Sequence, residues 1–472
     1  MSPLALDPLV PSGRARAHRL AGGCVAGLAA AALASWGRFL AEASLRLDPH
    51  SPAFLVACAV VGAGLAAAGV CGWRLAQVAD GCRWRALLAW AVLTHLAAAP
   101  ALPLTSSDLL SSLARGELQR RGLDAYAAAP AGVAGGPVAA LAPARWAGRP
   151  SIYGPIANGA AALAVAAGAR LGAPVAGPVA VLKTLLLLAA LGTVLLLFLH
   201  LRRDGPAAKP RFVLVAFSPL LAWEISGQAH NDGLVVLALA AFVLAAARRR
   251  EVLAAAALAA GALAKVVTAP LLALHVAVTW RRAPRRAALL VVIGAGMALF
   301  ALAPHAAAPV SAGALAAHLA GPTRHAHSFC DLLCLALERG GAPVAAARVC
   351  WAFWIGSTAL AAAVFLAALA RARTLPDAIR GFTFAALALF LTTPWFQPWY
   401  VTWLIPLLAV EEDAALVRLI AAYGIATVVL WAAPLDPVTT VLVNGWVAWR
   451  LWRRAARPAA QCQNPSEIPA FE

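Results

Sequence analysis

Charge is what this sequence has least of: 12% of its 472 residues are Asp, Glu, Lys or Arg, against 62% hydrophobic. That balance lies outside the range of water-soluble domains, and the mean hydropathy is +0.79. Long polar tracts are missing too, so no separate soluble domain is expected. The eight cysteines include no CxxC pair and join no His cluster with zinc spacing, so their spacing carries no metal signal. Cys330 and Cys334 read either as two small apolar residues on one helix face or as a local disulfide. No GxGxxG or P-loop stands in a strand-turn-helix setting, which excludes the usual nucleotide-binding loops. Internal duplication is absent as well. No small-residue cleavage site follows the first apolar run, which therefore reads as a retained anchor.

What is present is a succession of apolar runs, each near the roughly 20 residues needed to cross a bilayer. The formal charge of +18 is gathered in short clusters between those runs: Arg14–Arg19, Leu201–Arg211, Arg248–Arg250, Arg281–Arg286 and Arg453–Arg457. This is positive-inside patterning rather than a nucleic-acid surface. The expected fold is therefore an all-α polytopic membrane bundle of roughly 11 to 13 helices. A single transmembrane domain is expected over 1–457, with exterior loops at about 104–152 and 305–343 and a disordered cytoplasmic tail at 458–472. Tyr153–Gly172, weakly apolar and broken by glycines, is expected to be re-entrant or interfacial. Three hairpins are expected, with tips at Gly227–Gly233, at Lys265 and at the Pro/Trp stretch Pro394–Trp403.

An ionisable residue inside or beside a membrane is costly to hold there, so each is a functional candidate. Asp108, Asp232 and Lys265 are delivered to one side by segments remote in sequence. Asp108 opens "DLLSSLARGELQRRG", whose leucines form one stripe and whose Arg115, Glu117, Arg120 and Arg121 form another, predicting an amphipathic helix along the membrane surface. The carboxylate then serves either as helix cap or as catalyst. "QAHNDG" reads as a polar turn or as a site: His230 stands beside Asn231 and Asp232, with Glu224 upstream in an apolar setting. Lys265 is a snorkelling helix end or a counter-charge for a phosphate. Trp395, Trp399, Tyr400 and Trp403 suit an aromatic belt or a sugar-stacking surface. His305, His318, His325 and His327 lack regular metal spacing.

Taken in order, "SDLLSSLARGELQRRGLDAYAAAP", "SIYGPIANG", "GQAHNDGLVV", "ALAKVVTAPLL" and "TTPWFQPWYVTWLIP" resemble the GT-C superfamily. They are most similar to its bacterial polyprenol-phosphate-mannose-dependent alpha-1,6-mannosyltransferases. The resemblance implies a GT-C-like bundle and an inverting glycosyltransferase that moves a hexose, mannose above all, from a polyprenyl phosphate donor to a glycan or glycolipid acceptor. It implies Asp108 as catalytic base and His230, Asn231, Asp232, Lys265, Tyr126, Tyr153, Trp399 and Tyr400 as substrate-binding residues. No resident metal or other cofactor is implied, although the motifs are compatible with a divalent cation. The partners implied are the lipid-linked sugar, the acceptor and the bilayer, with no nucleic acid. The implied place is the bacterial inner (plasma) membrane, with the site on its exterior or periplasmic side. The rival reading is a transporter or flippase for a lipid-linked sugar, which predicts the inverted repeats that the sequence lacks.

Overall fold

Backbone polar groups in hydrocarbon must find partners within their own segment, and this chain answers with helices. The computed structural model describes residues 13–42, 45, 48, 50–133, 135–305, 324–432 and 438–455, and among these no strand longer than one isolated bridge is found. The 458–472 tail and His318 lie outside the described residues.

Helices α1 (Gly13–Glu42) and α2 (Pro52–Val78) pack along each other, and α3 (Trp84–Ala98) leads into the first long loop. That loop holds α4 (Asp108–Arg120) and is followed by α5 (Pro155–Ala169) and α6 (Ala176–Leu201). The first hairpin starts with α7 (Lys209–Ala216), breaks before Pro219 and continues through a π-helical turn, Ala222–Gly227, before returning as α8 (Asp232–Ala247). The second comprises α9 (Glu251–Ala264) and α10 (Ala269–Trp280), interrupted at Lys265, whose backbone is extended. Then come α11 (Pro284–Leu302), α12 (Phe329–Arg339) and α13 (Pro343–Arg371). The third hairpin runs from α14 (Leu375–Thr392) through a turn into the 3-10 segments Pro398–Leu404 and Pro406–Ala409, and α15 (Ala414–Trp431) and α16 (Val438–Ala455) close the chain.

Among the described residues, seven helices are long and apolar enough to cross a membrane, namely α1, α2, α6, α11, α13, α14 and α15. The chain is an all-α polytopic membrane protein. Six further apolar helices are shorter. Helix α5 has 15 residues, about 22 Å of rise against the roughly 30 Å of hydrocarbon. On α11 only Ala287 and Leu290 are buried, while Val292, Leu299 and Phe300 face outward, as a lipid-contacting surface requires.

The exposed polar face expected of the amphipathic helix α4 is corrected by the structure. Every residue from Leu109 to Leu118 is buried, including Arg115 and Glu117. The physical reason is that the loop folds back over the helix's polar stripe. Glu117 Oε2 accepts hydrogen bonds from the backbone of Val138 (3.0 Å) and Ala139 (2.7 Å), and its Oε1 accepts one from Arg121 (3.0 Å). Arg115 donates to the Ser111 carbonyl at 3.0 Å. The charges that suggested a wet face instead hold the loop together.

Helices of a membrane protein approach closely where residues are small, since lipid tails provide no hydrophobic drive to associate. Gly154 is such a point. Its N–H donates to the Ala264 carbonyl at 3.0 Å, and a Cβ there would overlap the Leu263 backbone. This contact fixes "SIYGPIANG" against the tip of the second hairpin. Gly154→Ala is expected to lower stability by about 1–3 kcal/mol, the usual range for overpacking, whereas Gly159→Ala, with open space around the new carbon, changes it little. Thermal unfolding in detergent checks both.

Candidate active site

The start of the first loop is stitched to the tip of the first hairpin by one side-chain amide. Gln228 Oε1 accepts from the N–H groups of Leu104 (2.8 Å) and Thr105 (3.1 Å), and its Nε2 donates to the Leu102 carbonyl (3.2 Å). Trp223 donates to Thr105 Oγ1 at 3.1 Å and Trp431 to the Thr105 carbonyl at 3.2 Å. Residue 229 then turns left-handed, with a φ of 58°, although it is alanine, a conformation costly for a residue with a Cβ. That twist swings His230 inward, where it is 1% exposed.

Asp108 is the first residue of α4, with Ser107 in the cap position. Its Oδ2 accepts from the Tyr153 hydroxyl at 3.2 Å and lies 3.5 Å from His230 Nδ1. The other ring nitrogen, Nε2, is 3.2 Å from Glu224 Oε2. Both are ion-pair distances without hydrogen-bond alignment. Glu224 itself sits in the π-helical turn with no exposed surface; such turns are frequent at functional sites. The result is a row of carboxylate, imidazole, carboxylate. Burial disfavours the imidazolium, but the flanking Asp108 and Glu224 outweigh it and push the His230 pKa up to about 9. Tyr153 is held protonated by burial first and then by the Asp108 and Asp232 charges, well above the usual phenol range.

The backbone of Tyr153 is clamped from both sides. Its carbonyl accepts from Tyr126 (3.0 Å) and from Asn158 Nδ2 (3.1 Å), and its N–H donates to Ser151 Oγ (3.1 Å). Tyr126 thus acts behind the site. It is anchored in turn by Asp124 Oδ1 on its N–H (2.7 Å), and its ring lies edge-on to His305, 4.8 Å away. His305 is 3.2 Å from Asp124 Oδ2.

Asp232 and Lys265 meet each other. Lys265 Nζ is 2.9 Å from both carboxylate oxygens, and Trp403 Nε1 donates to Oδ1 at 2.6 Å. The ammonium also lies over three rings: Tyr153 (5.5 Å), Tyr400 (5.6 Å) and Trp403 (5.4 Å), an arrangement that favours a cation. Trp399 stacks on His230 at 3.9 Å, and Tyr400 stacks on Trp403 at 4.6 Å. Trp399 and Trp403 are buried, so these two rings line the protein interior instead of forming a lipid-facing belt. Asn231 occupies the cap position of α8 without a side-chain capping bond. Among the remaining histidines, His325 pairs with Asp331 and Glu338, and His327 packs edge-on against Trp431.

The two groups with chemistry to offer keep an open edge. Asp108 and Lys265 have side chains 16% and 17% exposed, whereas His230, Glu224 and Asp232 show 1%, 0% and 1%. Sequence reasoning missed Gln228 and also Lys183, which lies in an apolar stretch of α6 and donates to the Gly227 carbonyl at the hairpin tip. A lysine within a membrane run is itself a signal. It missed one cluster as well: Cys330, Cys334 and Cys350 bring their sulfurs within 4.8 Å of one another. Its third thiol comes from the next helix, so spacing along the chain does not reveal the group.

Because the folded pKa of His230 lies above its ordinary 6.5, protonation of His230 stabilises the fold fully below about pH 6.5, and the contribution is lost as pH rises through about 9. His230→Gln is therefore expected to lower the melting temperature at pH 6, with the gap to wild type closing by about pH 10. A gap independent of pH would contradict this.

No curated protein and no solved structure matches the chain. A family described as "Alpha-(1->6)-mannopyranosyltransferase, N-terminal domain" matches residues 20–282, more than half of the sequence. The matched part contains Asp108, Tyr153, Glu224, His230, Asp232 and Lys265, while Trp399 and Trp403 lie beyond it. By that match, with its membrane helices and this cluster of residues in place, the chain belongs to the alpha-(1->6)-mannopyranosyltransferase family.

Proposed function

We propose that this mannosyltransferase takes mannose from a polyprenyl phosphate and transfers it, with inversion, to a hydroxyl of a glycan or glycolipid at the non-cytoplasmic face of the bacterial inner membrane. The observation that carries the reading is the partial exposure of Asp108 and Lys265 on either side of Tyr153, each backed by buried partners.

The acceptor hydroxyl gives its proton to the Asp108 carboxylate as its oxygen bonds to the sugar's anomeric carbon, and the bond from that carbon to the phosphate oxygen breaks on the opposite face. One carboxylate suffices for such an inverting displacement when the leaving group is already a phosphate. His230 lies beside the Asp108 carboxylate and positions it, and Glu224 holds His230 in place. Departing phosphate requires cationic stabilisation. Lys265 has three N–H donors; Asp232 accepts two, which leaves the third for a phosphate oxygen. Lys183 steadies the hairpin tip through its bond to the Gly227 carbonyl. Asn231 and the Tyr400 edge contact the sugar, and Trp399 closes the site over His230. The polyprenyl tail stays in the bilayer beside α5, whose short length leaves a way in from the lipid. Residues 1–457 act in this scheme as one catalytic unit.

The test is transfer of radiolabelled mannose from polyprenyl phosphate mannose in membranes. Asp108→Asn is expected to reduce transfer by about 10²–10⁴-fold, the range for a lost general base, with the melting temperature near wild type. Transfer at the wild-type rate by a folded Asp108→Asn protein removes Asp108 from the chemistry. A wild type that uses a nucleotide sugar but not the lipid-linked one removes the proposed donor.

A further inference from the structure

Cysteine is commonly buried as a small apolar residue, but here three thiols converge on one point. Cys330 and Cys334 lie one turn apart on α12, with sulfurs 3.6 Å from each other. Cys350, in the second turn of α13, closes the triangle, all three sulfurs lying within 4.8 Å. Each residue is at most 1% exposed, and Leu337, Val349 and Phe353 wrap the group. All three are free thiols. Two sulfurs bound to one ion at about 2.3 Å each stand roughly 3.8 Å apart, so the triangle is already close to the size of a ligand set.

We propose that Cys330, Cys334 and Cys350 form a three-sulfur site for a soft metal ion, and that the ion is Cu(I). Thiolate ligands select soft ions. A structural zinc site takes four protein ligands, and an iron–sulfur cluster likewise takes four cysteines. The nearest further donors are already engaged: His325 Nδ1 lies 2.6 Å from Asp331 Oδ1, its Nε2 lies 3.1 Å from Glu338, and Asp331 Oδ2 accepts from the His327 N–H at 2.8 Å. Three sulfurs in an apolar wrapping suit a three-coordinate monovalent ion. Binding replaces thiol protons, which leave to solvent.

Such an ion acts at a distance from the chemistry, by fixing one wall of the active site. Ser328, the cap of α12, accepts from the Asp331 N–H at 3.0 Å and ties the thiol-bearing helix to this wall, while the bond from the Cys350 thiol to the Arg324 carbonyl (3.1 Å) is given up when the metal binds. The strand-like residues that follow bridge to the third hairpin: Ala326 N–H to the Pro394 carbonyl (2.9 Å), Phe396 N–H to the Ala326 carbonyl (3.0 Å) and Ser328 Oγ to the Pro394 carbonyl (2.8 Å). That turn carries Trp399 over His230. Metal at the thiols therefore ties α12 and α13 to the stacked ring.

The experiment is anaerobic titration of the reduced full-length protein in detergent with Cu(I), against bathocuproine disulfonate as competitor, followed by X-ray absorption at the copper edge. One equivalent bound through three sulfurs is expected, with Cys334→Ser and Cys350→Ser each weakening affinity on the order of 100-fold at unchanged helical content. Equal affinity in wild type and in the triple Cys→Ser variant would overturn the proposal. So would a disulfide between two of the three that persists in the reduced protein, or tight Zn(II) with oxygen or nitrogen in its shell while Cu(I) is refused.

Discussion

A carboxylate with almost no exposed surface can remain charged inside a membrane bundle only if its partners are close and well aligned. Asp232 has two, the Lys265 ammonium and the Trp403 indole N–H. Each belongs to a different hairpin, so satisfying one charge fixes the tips of all three relative to one another. The rest of the site follows from this meeting point. Lys265 is held under Tyr153, Gly154 abuts the strand-like break beside Lys265, and Tyr153 reaches across to Asp108.

The architecture was legible in the sequence wherever a single segment carries its own signal. Apolar run length and the basic clusters give the helices, and the three interruptions, at "GQAHNDG", at Lys265 and at the Pro/Trp stretch, give the hairpin tips. Asp108, Asp232, Lys265 and His230 stood out because charge in an apolar chain is expensive. What stayed hidden depends on tertiary pairing. Glu117 and Arg115 read as a wet helix face, since nothing local says that Val138 and Ala139 return to cover them. Gln228 is an unremarkable polar residue until its amide is seen to replace three backbone partners. The cysteine triangle is invisible for the same reason, its members being split between two helices.

Asp232 and Asp108 illustrate how one residue type takes two parts in a site. The first is sealed and neutralised. The second keeps an exposed edge and leans on a buried imidazolium that is itself braced by Glu224. The π-helical turn that places Glu224 and the left-handed alanine that turns His230 inward are both locally unfavourable conformations, concentrated within a few residues, which is where strain is tolerated when surrounding structure enforces it. Such a division suits a mannosyltransferase, because groups that set geometry must be dry while groups that meet a substrate must remain reachable.

The measurement that tests the account most directly is the energetic coupling between residues 232 and 265, read as thermal stability in detergent for wild type, Asp232→Asn, Lys265→Gln and the double variant. If this pair holds the hairpin tips together, each single change leaves a buried charge unpaired and costs about 3–5 kcal/mol, while the double variant recovers most of that loss. Additive effects, with the double variant losing the sum of the two, would contradict the account and would make the pair two independent charges that happen to lie side by side.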